Sequence, residues 1–451
     1  MNNDLYGVLV YKDKKYHFVL DDRFVRIIGE PFHYIYDFND ADEIDVIHGV
    51  TAGNRDIRFL RCKFSKDYFG FAASFSIQGY AISNSNIGSP CDFTYNRSSF
   101  ESDAINTFFS PQKAINLDMD IENWTGEINI KLSPFQDTTR EFNYLDSKCQ
   151  LSISRHVRIN KEPTSIGKVK SLFTFEHFKV QPLIRIIDDF LALYDFLSFA
   201  NYNSNISFKN IDISSKNEEG LFEKTATVHI FINKTEYENT RLNSITIDDI
   251  PAEKLSAIFT CIASFRKNDN RLRYYFPENA HDGKYIDPGK WLITALNFEG
   301  LFSAKFPNFK CNINNDFRNA KELALERIDN NSDGKSLSKK EQDYYKKCRE
   351  QIEHYEGQLE EKFNYVFKAN KTVLDSILKY NENNLGIKQT FKYGSVYANY
   401  RNKIAHGSVE PLSDKEVAVY RIILPLIYIL MLSEIDLSDT EKKKMIGKLF
   451  G

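Results

Sequence analysis

The chain has no cysteine pair at CxxC spacing, no HxH or HxxxH histidine pair, no glycine-rich phosphate loop and no apolar run long enough for a bilayer. Each absence removes a class. Cys62, Cys91, Cys149, Cys261, Cys311 and Cys348 stand alone, which fits reduced thiols in a cytosolic protein rather than a disulfide scaffold or a zinc clip. His17, His33, His48, His156, His177 and His229 are scattered, a spacing that suits structural or solvated roles rather than a metal site. The longest apolar run, residues 422–432, is broken by Pro425 and falls far short of the ~20 residues of a membrane span. Residues 1–10 carry Asp4 and no long apolar core, so no secretory leader is expected. Together these point to a cytoplasmic protein with no membrane partner. Strong charge is missing too. Residues 286–451 hold 26 Lys and Arg against 23 Asp and Glu, the remainder 33 against 39. The C-terminal part has the sign that suits nucleic acid, without the basic stripe of a general binder.

What is present divides in two. A length of 451 residues suggests two or three domains. Strand-like runs fill the first part: a hairpin over residues 5–21, then 24–28, 57–64, 69–77, 127–132, 151–159, 171–180, 206–213 and 225–232. Several alternate apolar and polar residues, as Leu151-Ser152-Ile153-Ser154 does, which marks half-buried antiparallel strands. One helix interrupts them at 182–200. With no βαβ rhythm, the expectation for residues 1–280 is a sandwich-like or barrel-like antiparallel region. Trp124 suits either a core or strand-edge position or a sugar-binding face.

Composition shifts after residue 279. Asp287-Pro288 is an N-cap followed by a good first helical residue. Trp291, Ala295, Phe298 and Phe302 then mark an apolar helical face. Glu299 lies beside it, either an ordinary surface carboxylate or one pointing into a cleft. Asp329 to Gly334 imitates the start of a calcium loop, but Lys340 stands where the bidentate Glu belongs. Ser338 to Glu341 reads better as a capping box, opening a helix that runs to about residue 366, ~45 Å long. A shorter helix over 372–380 ends in 381–386. Residues 387–405 stack Tyr393, Tyr397 and Arg401 four apart. Ser413 to Glu416 caps a closing apolar helix through residue 432. Residues 286–451 therefore read as an all-α bundle, and the whole chain as α+β and multidomain.

The stretch Tyr400-Arg401-Asn402-Lys403-Ile404-Ala405-His406-Gly407 carries the chemistry. Asn402 and His406 are four apart and share a helical face. Gly407 is a natural stop, which puts His406 at the helix C-terminus, where the dipole favours a cation. An imidazole exchanges protons near neutral pH and a guanidinium binds phosphate, so the pair suits work on a phosphodiester. The plain alternative is a capped helix end with a solvated face.

This helical bundle with Arg-x4-His and Asn after the Arg is similar to the HEPN ribonuclease superfamily. The β-rich region before it, with His48-Gly49-Val50-Thr51-Ala52-Gly53-Asn54-Arg55-Asp56-Ile57, resembles the N-terminal domain of ApeA-type anti-phage abortive-infection proteins. The resemblance implies a metal-independent, toxic endoribonuclease without cofactors. It also implies RNA as substrate, transfer RNA included, and a homo-oligomer in which two bundles line one cleft. Arg401, Asn402 and His406 take the catalytic places. Glu299 is the candidate supporting acid, and Tyr397, Tyr400 and Lys403 are candidates for substrate contact, with bundle packing the alternative for the tyrosines. A phage-derived trigger would act on the β-rich region. The rival expectation is a non-catalytic sensor whose β-rich region binds a protein or glycan and whose bundle dimerises.

Overall fold

The computed structural model describes residues 5–28, 43–66, 73–86, 93–118, 129–134, 138–156, 168–232, 243–268, 276–278, 282–309, 315–332, 337–354, 358–407 and 410–451. The chain divides into two compact units, residues 1–282 and 283–451.

The first unit contains β1 (Leu5–Tyr11), β2 (Lys14–Asp21), β3 (Phe24–Ile28), β4 (Glu43–Thr51), β5 (Arg55–Lys66), β6 (Ala73–Ser76), β7 (Gly79–Asn86) and β8 (Tyr95–Ser102). After helix α1 (Asp103–Phe108) come β9 (Ile115–Asp118), β10 (Asn129–Leu132), β11 (Thr139–Tyr144), β12 (Ser147–His156) and β13 (Lys168–Gln181). Helix α2 (Ile186–Asn201), β14 (Phe208–Lys216), β15 (Phe222–Ile230) and helix α3 (Leu255–Asn268) complete it. All described pairings are antiparallel, as β-rich alternation predicts. The β1–β2 turn is Lys12-Asp13, with φ of 46° and 63°, the left-handed backbone that a two-residue hairpin needs.

Closure comes from β5, which changes partner along its length. Its first half pairs with β7 and its last four residues with β6. β6 pairs in turn with β3. The ring β5-β4-β1-β2-β3-β6 is therefore a closed barrel, free of lateral edges. Leu9, Phe18, Val25, Ile57, Phe59 and Phe75 fill it, with Phe18 and Phe59 edge to face at 5.1 Å. Beyond β7 the same sheet runs on, open, as β15-β14-β8-β13-β12-β11. Phe259 of α3 packs on Phe142, Tyr144, Phe173 and Phe175 of that sheet and on Phe196 of α2. α2 is buried nearly all round, as a helix without a polar face must be. The expected sandwich-like region thus takes the form of a barrel flowing into a helix-backed sheet. β4, β7, β8, β9, β11, α1 and α3 were not anticipated. Trp124 lies outside the described residues.

The second unit is helical among its described residues: α4 (Pro288–Lys305), α5 (Asn315–Ser332), α6 (Lys339–His354), α7 (Gln358–Ala369), α8 (Asp375–Leu385), α9 (Tyr393–Ala405), α10 (Asp414–Met431) and α11 (Asp439–Phe450). Asp287 caps α4 through Lys290 N–H at 2.9 Å. Ser338 with Glu341 and Ser413 with Glu416 form the expected capping boxes. Residues 329–332, the start of the calcium-like stretch, are the last turn of α5. The single long helix expected up to residue 366 is described as two, α6 and α7, on either side of residues 355–357, which are not described. α10 does not close the chain, since α11 follows with its own capping box, Ser438 and Glu441. Trp291, Ala295, Phe298 and Phe302 are buried as the periodicity predicts. No described helix is long and apolar enough to cross a membrane.

Candidate active site

α9 is built to hold its C-terminal half against α4. Tyr393, Tyr397, Tyr400 and Ile404 recur at three- and four-residue steps and are all buried. The helix comes close to α7 at Gly394, where a Cβ would meet the Asn364 amide at 2.5 Å. The Tyr397 ring stacks on Phe363 at 5.1 Å and meets Phe298 edge to face at 5.8 Å. One turn later stands Arg401.

The two residues converge on Glu299 of α4. Tyr397 Oη donates to Glu299 Oε1 at 3.1 Å. Arg401 donates from Nε to Oε1 at 2.9 Å and from Nη2 to Oε2 at 3.1 Å. This side-on, two-point ion pair fixes the guanidinium plane and leaves the Nη1 donors outside it. The pair is half-sheltered, with Arg401 24% and Glu299 17% exposed. Burial, and then the Glu299 charge, push the Tyr397 hydroxyl well above the ordinary phenol range. Tyr397 is therefore a neutral donor.

The neighbours behave differently. Tyr400 turns into the core, edge to face with Trp291 at 5.0 Å, and donates to the Glu410 carbonyl at 2.9 Å. With Tyr397 also buried, packing in the bundle claims both tyrosines, and neither leaves an open ring face for a base. Lys403 reaches the exposed Glu410 carboxylate at 3.0 Å. His406 is the C-cap of α9: its N–H donates to the Asn402 carbonyl at 3.1 Å, and Gly407 follows with φ of +84°. That positive φ is the left-handed stop glycine adopts at least cost. The side chains of Asn402 and His406 are exposed, and among the described residues neither has a side-chain hydrogen bond. The structure thus gathers Glu299, Tyr397 and Arg401. It leaves His406 about 140° round the helix and ~7.5 Å along its axis from Arg401.

A second polar cluster, which local spacing did not show, lies in the first unit. The β12–β13 register sets Ser147 opposite His177. Ser147 Oγ is 2.7 Å from His177 Nδ1, and His177 Nε2 is 2.8 Å from Asp189 Oδ2. Tyr95 and Ser98 of β8 donate to the same oxygen, each at 3.0 Å. Arg185 Nε stands 3.6 Å from Oδ1, near enough for charge and too far for a good hydrogen bond. Asp189 lies in the first turn of α2, where the helix dipole favours an anion. The cluster has the order hydroxyl, imidazole, carboxylate, but it is sealed: the His177 and Asp189 side chains are 0% and 1% exposed. Burial and the Asp189 charge raise the Tyr95 hydroxyl far above its ordinary range, so it too remains a donor. The only sequence clue was serine at inward strand positions.

Among the described residues no group of three His, Cys, Asp or Glu side chains could hold a metal ion. Against known families, the model of ApeA N-terminal domain 1 matches residues 2–261. No curated protein and no solved structure gives a significant match.

Proposed function

The chain belongs to the ApeA family and is an anti-phage defence protein, and from that premise we propose that it defends as a metal-independent endoribonuclease of the HEPN type, with its reacting groups in the second unit. The observation that carries the reading is the Arg401–Glu299–Tyr397 cluster on the helix that ends at His406. RNA brings its own nucleophile, the ribose 2′-hydroxyl. Cleavage needs that proton removed, the phosphorane charge offset and the leaving 5′-oxygen protonated. Arg401, its plane set by Glu299, offers Nη1 to the phosphate oxygens. His406, exposed at the helix end, exchanges the protons. Asn402 holds the imidazole or donates to phosphate. Lys403 adds positive charge along the strand path. The products are a 2′,3′-cyclic phosphate and a 5′-hydroxyl.

The separation of Arg401 from His406 within one chain is met by a second copy, whose His406 or Arg401 completes the set. Ile293 and Leu296, 52% and 45% exposed, lie six and three residues before Glu299 on α4 and offer an apolar seam for that pairing. The first unit acts as the sensor, holding cleavage to a low basal rate until a phage-derived trigger is bound and raises it.

The test uses the full chain with total RNA, with and without EDTA. Wild-type protein cuts in both, and His406→Ala and Arg401→Ala each lose about 10²–10⁴-fold in rate while keeping their circular dichroism. Cleavage retained in both variants, or abolished by EDTA, ends this reading. A wild type that cuts no RNA favours the sensor-and-adaptor alternative.

A further inference from the structure

The β14–β15 ladder is incomplete. It runs from Lys216↔Phe222 to Ile211↔Val228 and stops. Continued in register, Asn210, Lys209 and Phe208 would face His229, Ile230 and Phe231. No ladder pair joins them among the described residues. Below the stop each strand keeps only its outer neighbour. Phe208 and Asn210 pair with β8, while His229 pairs with Tyr80 and Ile230 with Gly79 of β7. The two strands splay, and a cavity of about 490 Å³ fills the split. Its walls are residues 208–211 and 228–232, its floor includes Tyr80, and Asp22 and Arg23 stand at the rim.

Three properties define what would fill it. The walls are strand edges, each with main-chain N–H and C=O groups on the side its missing partner would occupy. The gap is about three residues long on each side, or ~10 Å of extended chain. The rim is close to neutral. Lys209 is held by Asp103 at 2.6 Å and Arg23 lies 3.8 Å from Asp22. A phosphate or other multiply charged ligand has no unmatched cation to meet there. The side-chain surface is aromatic: Tyr80 and His229 stack at 4.7 Å, and Phe231 lies 5.9 Å from Tyr80. Burial lowers the pKa of His229, which keeps that ring uncharged near neutral pH.

We propose that the split between β14 and β15 is a receptor for an extended peptide strand, which zips into the open ladder by main-chain pairing and seats one apolar side chain against Tyr80, His229 and Phe231. The occupant is a segment of a partner protein with no net charge. The proposal concerns binding to the first unit alone, so it stands or falls independently of the nuclease reading.

The probe is a random heptapeptide library selected on the full-length protein. Enriched peptides are expected to place an apolar residue between β-branched or polar ones. On wild-type protein, methylating a pairing backbone nitrogen of the peptide weakens binding by about tenfold, the worth of one to two hydrogen bonds. Adding the peptide slows amide exchange in residues 208–211 and 228–232. His229→Ala with Phe231→Ala weakens binding further without altering circular dichroism. Selection that enriches no peptide, enriched peptides indifferent to N-methylation, or exchange slowed only elsewhere would each overturn the proposal. Because the N-methyl and exchange arms use wild-type protein, a misfolded double variant does not remove the test.

Discussion

Two carboxylates organise this molecule, and the contrast between them separates holding a fold from offering a site. Asp189 and Glu299 both accept from a tyrosine hydroxyl and both face an arginine. Around Asp189, the donors Tyr95, Ser98 and His177 come from β8 and β13, and each is sealed from water. The Ser147-His177-Asp189 order has the ingredients of a nucleophile and its base, yet no substrate reaches it. It serves instead to tie α2 to three strands, pairing Ser98 of β8, Ser147 of β12 and His177 of β13. Around Glu299 the same ingredients are left half open. The tyrosine is tucked into the aromatic core, while the carboxylate and the arginine side chain both stay partly exposed. A polar group inside a low-dielectric shell stabilises by being satisfied, and one at the boundary keeps donors for something else.

Asp189→Ala gives the largest expected effect. It leaves three buried donors and the Arg185 charge without their acceptor, a loss of about 3–5 kcal/mol. Native-state hydrogen exchange in β12 and β13 reads it locally. A loss below about 1 kcal/mol would mean that the sealed cluster is no tie at all. Glu299→Ala comes next, at about 1–3 kcal/mol, because water can still reach part of the arginine it strands. The readout is exchange in α4 and α9, accompanied by loss of RNA cleavage. Equal costs at the two sites would erase the distinction drawn between them. Tyr397→Phe is smaller, about 0.5–1.5 kcal/mol. It removes one hydroxyl from Glu299 while the ring still stacks on Phe363. Cleavage falls only to the extent that Glu299, and with it Arg401, loses its fixed plane.

The boundary site was legible in the sequence and the sealed one was not. Arg401, Asn402 and His406 share a short segment, and Glu299 sits beside an obvious apolar face, so helical spacing together with the family resemblance nominates them. The β1–β2 hairpin, β3, the first two capping boxes and the stop at Gly407 were readable for the same reason: their determinants lie within a few residues, whereas the helix expected over 372–380 runs on to Leu385 before Gly386 stops it. His177 looked like one more scattered histidine because its partners are 30 residues back and 12 ahead. Only the strand register joins them. β8 escaped notice because its inward positions alternate Tyr95, Ser98, Phe100 and Ser102, and serine carries no apolar signal. Barrel closure depends on β6, which lies inside the strand-like run 69–77, but its pairing on both sides, to β3 and to β5, is announced by no local pattern.

His406→Ala carries the smallest stability effect and sharpens the contrast most. The ring is exposed and has no side-chain hydrogen bond among the described residues, and the turn that follows it is set by Gly407. Exchange rates in α9 should therefore match wild type, since the backbone hydrogen bonds from His406 to Asn402 and from Gly407 to Ile404 need no imidazole. In the proposed RNA cleavage the same change is expected to rank among the most damaging, because α9 and its end carry no other imidazole. Ordered by stability, the series runs Asp189, Glu299, Tyr397, His406. Ordered by cleavage, His406 moves to the front and Asp189 drops out wherever the protein still folds. A single side chain that costs the fold nothing and the reaction everything is the behaviour of a group held for chemistry. If cleavage instead declined in step with stability across the four variants, the second unit would be one more structural tie, and the half-open arginine an ordinary surface ion pair.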